Sequence, residues 1–308
     1  MLNKIIFLLI SVLSMNTVIS QESSNSSPFF KKKWAEVDSL TDKGLYNMAL
    51  TKTKEIFGKA VAEKNHNQVI KALIHELKFN AFLEEEDFIK GIVEIEGLIE
   101  KTPSPSKEIL HSILAEMYYG YYSANSWLYT NRTEVIDPDL SDIRTWDLKQ
   151  IAKSVKANYY LSLQNAEIAQ STPISDFDLI INNVTSSANI RPTLYDFLAH
   201  RALNFFTNNT FNIPGSADTF TIDDPAYFGS NTSFLKTNES TSDALNTRFI
   251  AIDIFKKITK FHLDKKNETP LFYLEFERLK FVNQYATLAD KDDIYYKNLQ
   301  RIGTAHRF

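Results

Sequence analysis

The chain has 308 residues, of which 44% are hydrophobic and 13% aromatic, and it carries a formal net charge of −4. That length exceeds one comfortable core and asks for two domains or a solenoid, while the mildly acidic balance lacks the electrostatic footprint of a nucleic-acid binder. The sequence holds no cysteine, which excludes a disulfide framework, a thiolate nucleophile, a thiolate metal site and a lipid-bearing cysteine after a leader.

Residues 1–20 read as a signal peptide. Lys4 gives the positive end, Ile5 to Leu13 the apolar run, and Val18-Ile19-Ser20 an acceptable cleavage site before Gln21. The run is shorter than a membrane-spanning helix requires. The expected product is exported, periplasmic or extracellular, soluble and without a lipid anchor. Residues 21–28 form a polar, disordered linker.

An N-terminal helical array is expected over 29–125. Trp34, Val37 and Leu40 share one helical face, and Lys31 to Lys33 read as a solvated helix start. Gly44 marks a turn, and Gly44-Leu45-Tyr46 with Ala49-Leu50 matches the junction of a tetratricopeptide-like helix pair, although Thr53 stands where a large aromatic is usual. Ala49, Ile56, Phe57 and Ala60 make the next face, followed by Val69, Ile70, Leu73, Ile74 and Leu77. After the acidic run from Glu84 to Asp87, a solvated helix start favoured by the helix dipole, come Phe88, Ile92, Ile95 and Ile99. Pro103-Ser104-Pro105 breaks the chain. The broad double row Ile109, Leu110, Ile113, Leu114, Met117, Tyr118, Tyr121 and Tyr122 predicts a central helix buried on more than one side.

A second helical part is expected over 126–207, with a connection through 145 and one long helix from about Trp146 to Gln170, ended by Pro173. The periodicity of 174–190 is ambiguous. Pro192–Leu203 is the sharpest helix start in the chain: Thr193 and Asp196 form a Thr-x-x-Asp capping box, with Pro192 placed to pack on Phe197. Leu194, Phe197, Leu198 and Phe205 share a face. Arg201 projects from that face and needs a partner or an exit to solvent, and His200 falls on the polar side. Residues 208–246 are a polar loop rich in Asn, Thr, Ser and Asp, inserted before C-terminal helices over 247–308, whose faces are Phe249, Ile252, Phe255 and Ile258, then Phe272, Phe276, Leu279, Val282 and Ala286. A further segment starts near Asp292. With only eight glycines, paired helices fit better than a sheet. The fold class expected is all-α: an irregular tetratricopeptide-like array of helical hairpins, an α-solenoid with a long inserted loop.

No catalytic, cofactor or metal constellation is legible. No Gly-rich phosphate loop and no Gly-x-Ser-x-Gly elbow occurs. His75-Glu76 begins like a zinc-protease helix, but Phe79 stands where the second histidine belongs. His66, His75, His111, His200, His262 and His306 are too scattered for a ligand set, and packing or capping is expected of His111 and His200. Asp137, Asp139 and Ser141 mimic the start of a calcium loop, yet Asp142 replaces the turn glycine and Leu148 the bidentate glutamate, so the stretch reads as an Asp-rich capping loop. Seven Asn-x-Ser/Thr sequons, beginning at 25, 131, 183, 208, 231, 238 and 267, would be glycan sites only in a secreted eukaryotic chain. Tyr118, Tyr119, Tyr121, Tyr122 and Trp127 could stack on sugars, against a plainer reading in which the tyrosines are core and Trp127 packs a loop.

Several segments together resemble a known family. They are Trp34–Leu40, Gly44-Leu45-Tyr46, Ala49-Leu50, Gln68–Leu73, Ile109–Ala115, Arg144–Asp147 and Pro192–Leu203. The set resembles the N-terminal helical region of large bacterial alpha-2-macroglobulin-like proteins, from about residue 30 to the C-terminus. The resemblance implies an exported protease-trapping protein with tandem β-sandwich domains, often a bait segment, and in many members a Cys-Gly-Glu-Gln thioester. None of those parts lies here, so the resemblance marks the chain as truncated and transfers no active residue. The expected function is a non-catalytic exported scaffold or interaction region of such a protease inhibitor, not an enzyme. It would take no cofactor and no metal, and its partners would be proteins or missing downstream domains of the same polypeptide, with no nucleic acid and no membrane span after leader cleavage. The alternative is a stand-alone exported helical protein that binds a glycan or protein ligand.

Overall fold

A computed structural model describes residues 27–80, 85–129, 132, 135–136, 138–181, 188–208, 211 and 220–305. The expected leader and most of the linker lie outside the described residues. What is described is all-α: 13 α-helices and no β-strand among those residues. The chain divides into two compact units, Met1–Ser186 and Ser187–Phe308, a boundary that falls inside the stretch 126–207 grouped above as one part.

The first unit opens with α1 (Pro28–Asp42), α2 (Tyr46–Ala62) and α3 (His66–Asn80). Ser27 accepts from Phe29 N, and proline at the first position needs no amide partner, so the helix starts where the polar stretch ends. Phe30, Trp34 and Val37 are buried on α1, against Ala49, Ile56 and Ala60 of α2 and Val69, Ala72 and Phe79 of α3. Gly44 closes α1 at φ 71°, with Gly44 N bonding Thr41 O and Leu45 N bonding Leu40 O, the paired carbonyl capture of a left-handed C-terminal turn. The same turn recurs after α2 with Lys64 at φ 54°. Helix α3 is buried nearly all round, including the polar residues Gln68, His75 and Glu76. Trp34 Nε1 donates to Gln68 Oε1 at 2.7 Å, which satisfies both buried groups and ties α1 to α3. Thr53, where a tetratricopeptide-like helix pair usually has a large aromatic, is buried and donates its hydroxyl to Ala49 O.

Helices α4 (Glu85–Lys101) and α5 (Ser106–Ala124) follow, separated by the predicted proline break. Phe88, Ile92, Ile95 and Ile99 are buried as their spacing predicts, and α5 is indeed the helix with the broad buried surface. It packs on α4, on α3 and on α7 (Leu148–Leu161), with the short α6 (Ser126–Tyr129) between α5 and α7 in sequence. Gly91 sits where α4 meets α3 so closely that a Cβ would stand 2.5 Å from Leu77 Cδ2. The single long helix expected from Trp146 to Gln170 is in fact two. Ser162 folds its hydroxyl back onto Tyr159 O at 2.7 Å, the chain turns through 162–165, and α8 (Ala166–Ser171) begins afresh. No Gly or Pro marks that break. Ile174, Phe177, Ile180 and Ile181 of the ambiguous segment are buried, the first two in a 3-10 turn.

The second unit is built from α9 (Leu194–Asn208), α11 (Thr247–Lys265), α12 (Glu268–Tyr285) and α13 (Lys291–Ala305), packed α9 on α11, α11 on α12 and α12 on α13. The stretch 208–246, expected to be a polar loop, is described at 208, 211 and 220–246, where it is largely irregular but carries buried apolar residues. Phe220, Ile222, Tyr227, Phe228 and Phe234 are buried, with a 3-10 turn at Pro225–Phe228 and the short α10 (Asn231–Phe234). Ile222 also makes a parallel bridge with Ala286.

What packs this segment down is Arg278. It is 0% exposed and donates to Tyr227 O, to Gly229 O at 2.8 Å and to Glu275 Oε1 at 3.3 Å, its guanidinium 4.3 Å from the Phe234 ring centroid. Glu275 also receives Arg301 from α13 and Asn231 from α10. The core face expected on α12 is therefore displaced. Phe276 is 39% exposed and Phe272 only half-buried, while Glu275 and Arg278 turn inward with Leu274, Leu279 and Val282. A charge whose two terminal nitrogens are paired can occupy the core even with Nε left unbonded, as here, and periodic apolar spacing does not register it.

Two stability changes follow. Arg278→Leu leaves two buried carbonyls without donors and is expected to lose roughly 3–5 kcal/mol, with Arg278→Lys recovering only part because an ammonium cannot form the fork; urea unfolding midpoints measure both. Lys266, which closes α11 at φ 58°, holds a left-handed position that glycine adopts without strain, so Lys266→Gly should raise stability by about 0.5–1 kcal/mol.

Candidate functional site

Most of the chemically capable side chains are locked into closed networks. On α3, His75 donates Nδ1–H to Lys71 O at 2.9 Å and lies 4.6 Å from the Trp34 ring, with Lys71 Nζ over the other part of that contact at 4.5 Å from the Trp34 centroid. Burial pulls its pKa down to about 3, so it stays a neutral packing group. His111 of α5 donates Nδ1–H to Asn158 Oδ1 of α7 at 2.8 Å, and Glu108 receives Ser104 and Asn165 on one oxygen.

The capping box of α9 is present: Asp196 N bonds Thr193 Oγ1 at 3.2 Å, and Asp196 Oδ2 receives Thr193 N at 3.0 Å and its hydroxyl at 2.8 Å. Sequence reading saw that much and missed the rest. Asp196 is 0% exposed, and its second oxygen receives Nε2–H of His262 on α11 at 2.7 Å. Asn267 in turn donates to His262 Nδ1 at 3.2 Å. Thr193, Asp196, His262 and Asn267 resemble a proton-relay chain in composition, yet both central groups are sealed from solvent and both Asp196 oxygens are occupied by donors of the fold.

His200 corrects an expectation. It lies not on a polar surface but buried at 7% exposure, donating Nδ1–H to Asp196 O at 2.8 Å, with Nε2 3.6 Å from Glu277, which also meets Arg191. Burial, then the Arg191 charge, pulls its pKa down to about 4. Arg201 is half-buried, its guanidinium 5.4 Å from the Phe197 ring centroid. A long side chain can satisfy an apolar stripe this way by laying its stem on a ring.

The Asp-rich stretch near 140 also resolves into local structure. Asp137 lies outside the described residues. Asp139 Oδ1 receives Ser141 N and its hydroxyl, Asp142 receives Arg144 N and pairs with the Arg144 guanidinium, and Asp147 caps α7 through Gln150 N at 2.7 Å while taking Val135 N at 2.8 Å. These carboxylates serve turns and a helix start. Among the described residues no group of three or more His, Asp or Glu could hold a metal ion. The tyrosine row is core in part, Tyr118 and Tyr121 being buried and Tyr118 stacking 5.1 Å from Trp146. Trp127 does not pack a loop; it is 64% exposed on α6.

One buried group opens onto space. A cleft of about 440 Å³ between α2, α3 and α4 is lined by Leu50, Lys54, Phe57, Glu76, Asn80, Lys90, Gly91 and Glu94. Glu76 is 5% exposed, and its Oε1 is buried with no hydrogen-bond partner. Burial, and secondarily the Glu94 charge, pushes its pKa up to about 7, against Lys54. A second, shallower depression between α3, α5 and the chain after α8 includes Asn67, whose amide bonds Asp176 O at 2.9 Å.

The Glu76 shift has a testable sign. The folded state holds its proton more tightly than the unfolded chain, whose glutamate titrates near 4.5. Its contribution to stability is therefore complete below that value and is lost as pH rises through the window up to about 7. Glu76→Gln should leave stability unchanged at pH 4 and raise it by roughly 1–2 kcal/mol at pH 8, after allowing for water that screens the open cleft; urea midpoints across that range measure the difference. His75 and His200 act the other way, since their lowered values withdraw stability as pH falls below their ordinary value of 6.5.

Among the described residues no helix is long and apolar enough to cross a membrane. Compared with known proteins, the chain matches no protein-family model, no curated protein and no solved structure.

Proposed function

We propose that this chain is a non-catalytic helical scaffold: the N-terminal region of an exported alpha-2-macroglobulin-like protease-trapping protein, working as a docking or assembly module built as an irregular tetratricopeptide-like array of helical hairpins. What carries the reading is where the residues of the family resemblance lie. Trp34 and Gln68 bond each other across helices, Gly44 closes a left-handed turn, and Ala49 is buried at a helix contact. Trp146 donates to Asp139 O, Asp147 caps α7, and Asp196 joins the start of α9 to α11. Each is a junction residue between helices. A family whose shared residues concentrate at junctions keeps a shape, and an interaction module needs a shape.

A second reading, a stand-alone exported binding protein, draws on Trp127, which presents an aromatic face to solvent.

The coding sequence downstream of Phe308 separates the two. Macroglobulin-type β-sandwich domains continuing in frame are the expected result, and a stop codon there, with a monomeric, cooperatively folded product, would overturn the first reading. Glycan binding that disappears in Trp127→Ala would establish the second. For export, mass spectrometry of the protein recovered from the periplasm or medium should find a chain beginning at Gln21.

A further inference from the structure

Among the described residues most buried carboxylate oxygens are held by donors of the fold, and two are not: Glu108 Oε2 and Glu76 Oε1. Asp196 receives Thr193 and His262, Glu275 receives Arg278, Arg301 and Asn231, Asp147 receives two backbone amides, and Glu108 draws Ser104 and Asn165 to one oxygen. Glu76 is as deeply placed as these, yet its Oε1 has no donor at all. Glu108 keeps two donors on its other oxygen, whereas Glu76 lines a cleft, where an incoming donor can make the bond the fold leaves unmade.

We infer that the cleft between α2, α3 and α4 is a binding site for an alkylammonium or alkylguanidinium group, with the cation seated on the Glu76 carboxylate and its hydrocarbon stem laid along Leu50 and Phe57. Glu76 and the half-buried Asn80 supply acceptors at the floor; Leu50 and Phe57, also half-buried, supply an apolar wall from α2. The volume of about 440 Å³ suits a group the size of a basic side chain. A bare metal ion is the poorer occupant, because one buried carboxylate and one amide fall short of the oxygen set a divalent cation requires, and an apolar wall offers it nothing.

Among the described residues, the charged groups facing Glu76 are Lys54 from α2 and Lys90 and Glu94 from α4, all exposed at the rim. Glu94 adds negative charge for an incoming cation, while Lys54 competes with it. Cation binding must also displace the proton that Glu76 holds near neutrality, so affinity rises as pH rises.

The test is an NMR titration, with carboxyl carbon labelling of glutamate, using n-butylguanidinium, an acetyl- and amide-capped peptide carrying a single arginine, and uncharged n-butylurea as the control. Both cations should shift the Glu76 resonance and bind roughly tenfold more tightly at pH 8 than at pH 6. Lys54→Met should bind as tightly as the parent or more so, and Glu76→Gln should lose binding while its urea unfolding curve shows it folded. Capped peptide binding at least as tightly as the free ion identifies a protein side chain as the source; the free ion alone identifies a small amine or guanidine. Binding of neither cation at millimolar concentration, equal binding of butylurea, or binding retained in Glu76→Gln would overturn the inference. It stands apart from the family reading: macroglobulin domains downstream can be present or missing without moving any of these titrations.

Discussion

Asp196 is the constraint on which the second unit depends. One carboxylate, shut away from water, closes the capping box of α9 with one oxygen and receives His262 of α11 with the other. Its backbone carbonyl receives His200, so the position serves three partners at once. In a dry interior each bond is electrostatically strong and each missing one is expensive, which makes the packing of α9 against α11 a matter of geometry as well as of apolar area. A neutral amide has one oxygen and could not accept from both Thr193 and His262.

The same device recurs at other helix contacts. A chain without cysteine, and with no metal cluster among its described residues, ties its helices through buried hydrogen bonds of definite geometry: Trp34 to Gln68, His111 to Asn158, and Arg278 to the carbonyls of the 225–229 turn. Apolar burial drives the helices together but tolerates sliding. Polar ties select one register, because any other leaves a charge or amide unpaired. Glu76 belongs to the same class of residue and lacks the tie, which is why the cleft beside it stands out from the other depressions of the surface.

How much could be read in advance differed by the range of the interaction. The capping box at Thr193 and Asp196, the turn at Gly44, the break at Pro103–Pro105 and the buried stripe of α4 all arise within a few residues of chain, and all were legible. The break of the expected long helix at Ser162 is also local but carries no Gly or Pro, and a serine that bonds back to Tyr159 looks like any helical serine. The 208–246 stretch was opaque for a different reason. Its polar composition is genuine, but Tyr227 and Phe234 are held down by Arg278, some fifty residues distant in sequence, and Phe220 packs on Tyr227 and on Phe249 of α11. His200 was misplaced likewise, since the carboxylate beside it comes from α12 and not from its own helix.

The amino-acid sequence, read alone, settles the helical class, the turn at Gly44, the break at Pro103–Pro105 and the lack of any thiol chemistry, because these depend on composition and on signals within a few residues of chain. The tertiary structure decides which polar groups are interior. Arg278 and Phe276 lie two positions apart on α12, and spacing favours the phenylalanine as core; the fold buries the arginine instead, because it brings two backbone carbonyls and a glutamate to the guanidinium. A charge enters a core only when its partners are delivered from elsewhere in the chain, and that delivery is invisible until the helices are packed. The open carboxylate of Glu76 is the converse case, a buried acid for which the packed helices bring no donor.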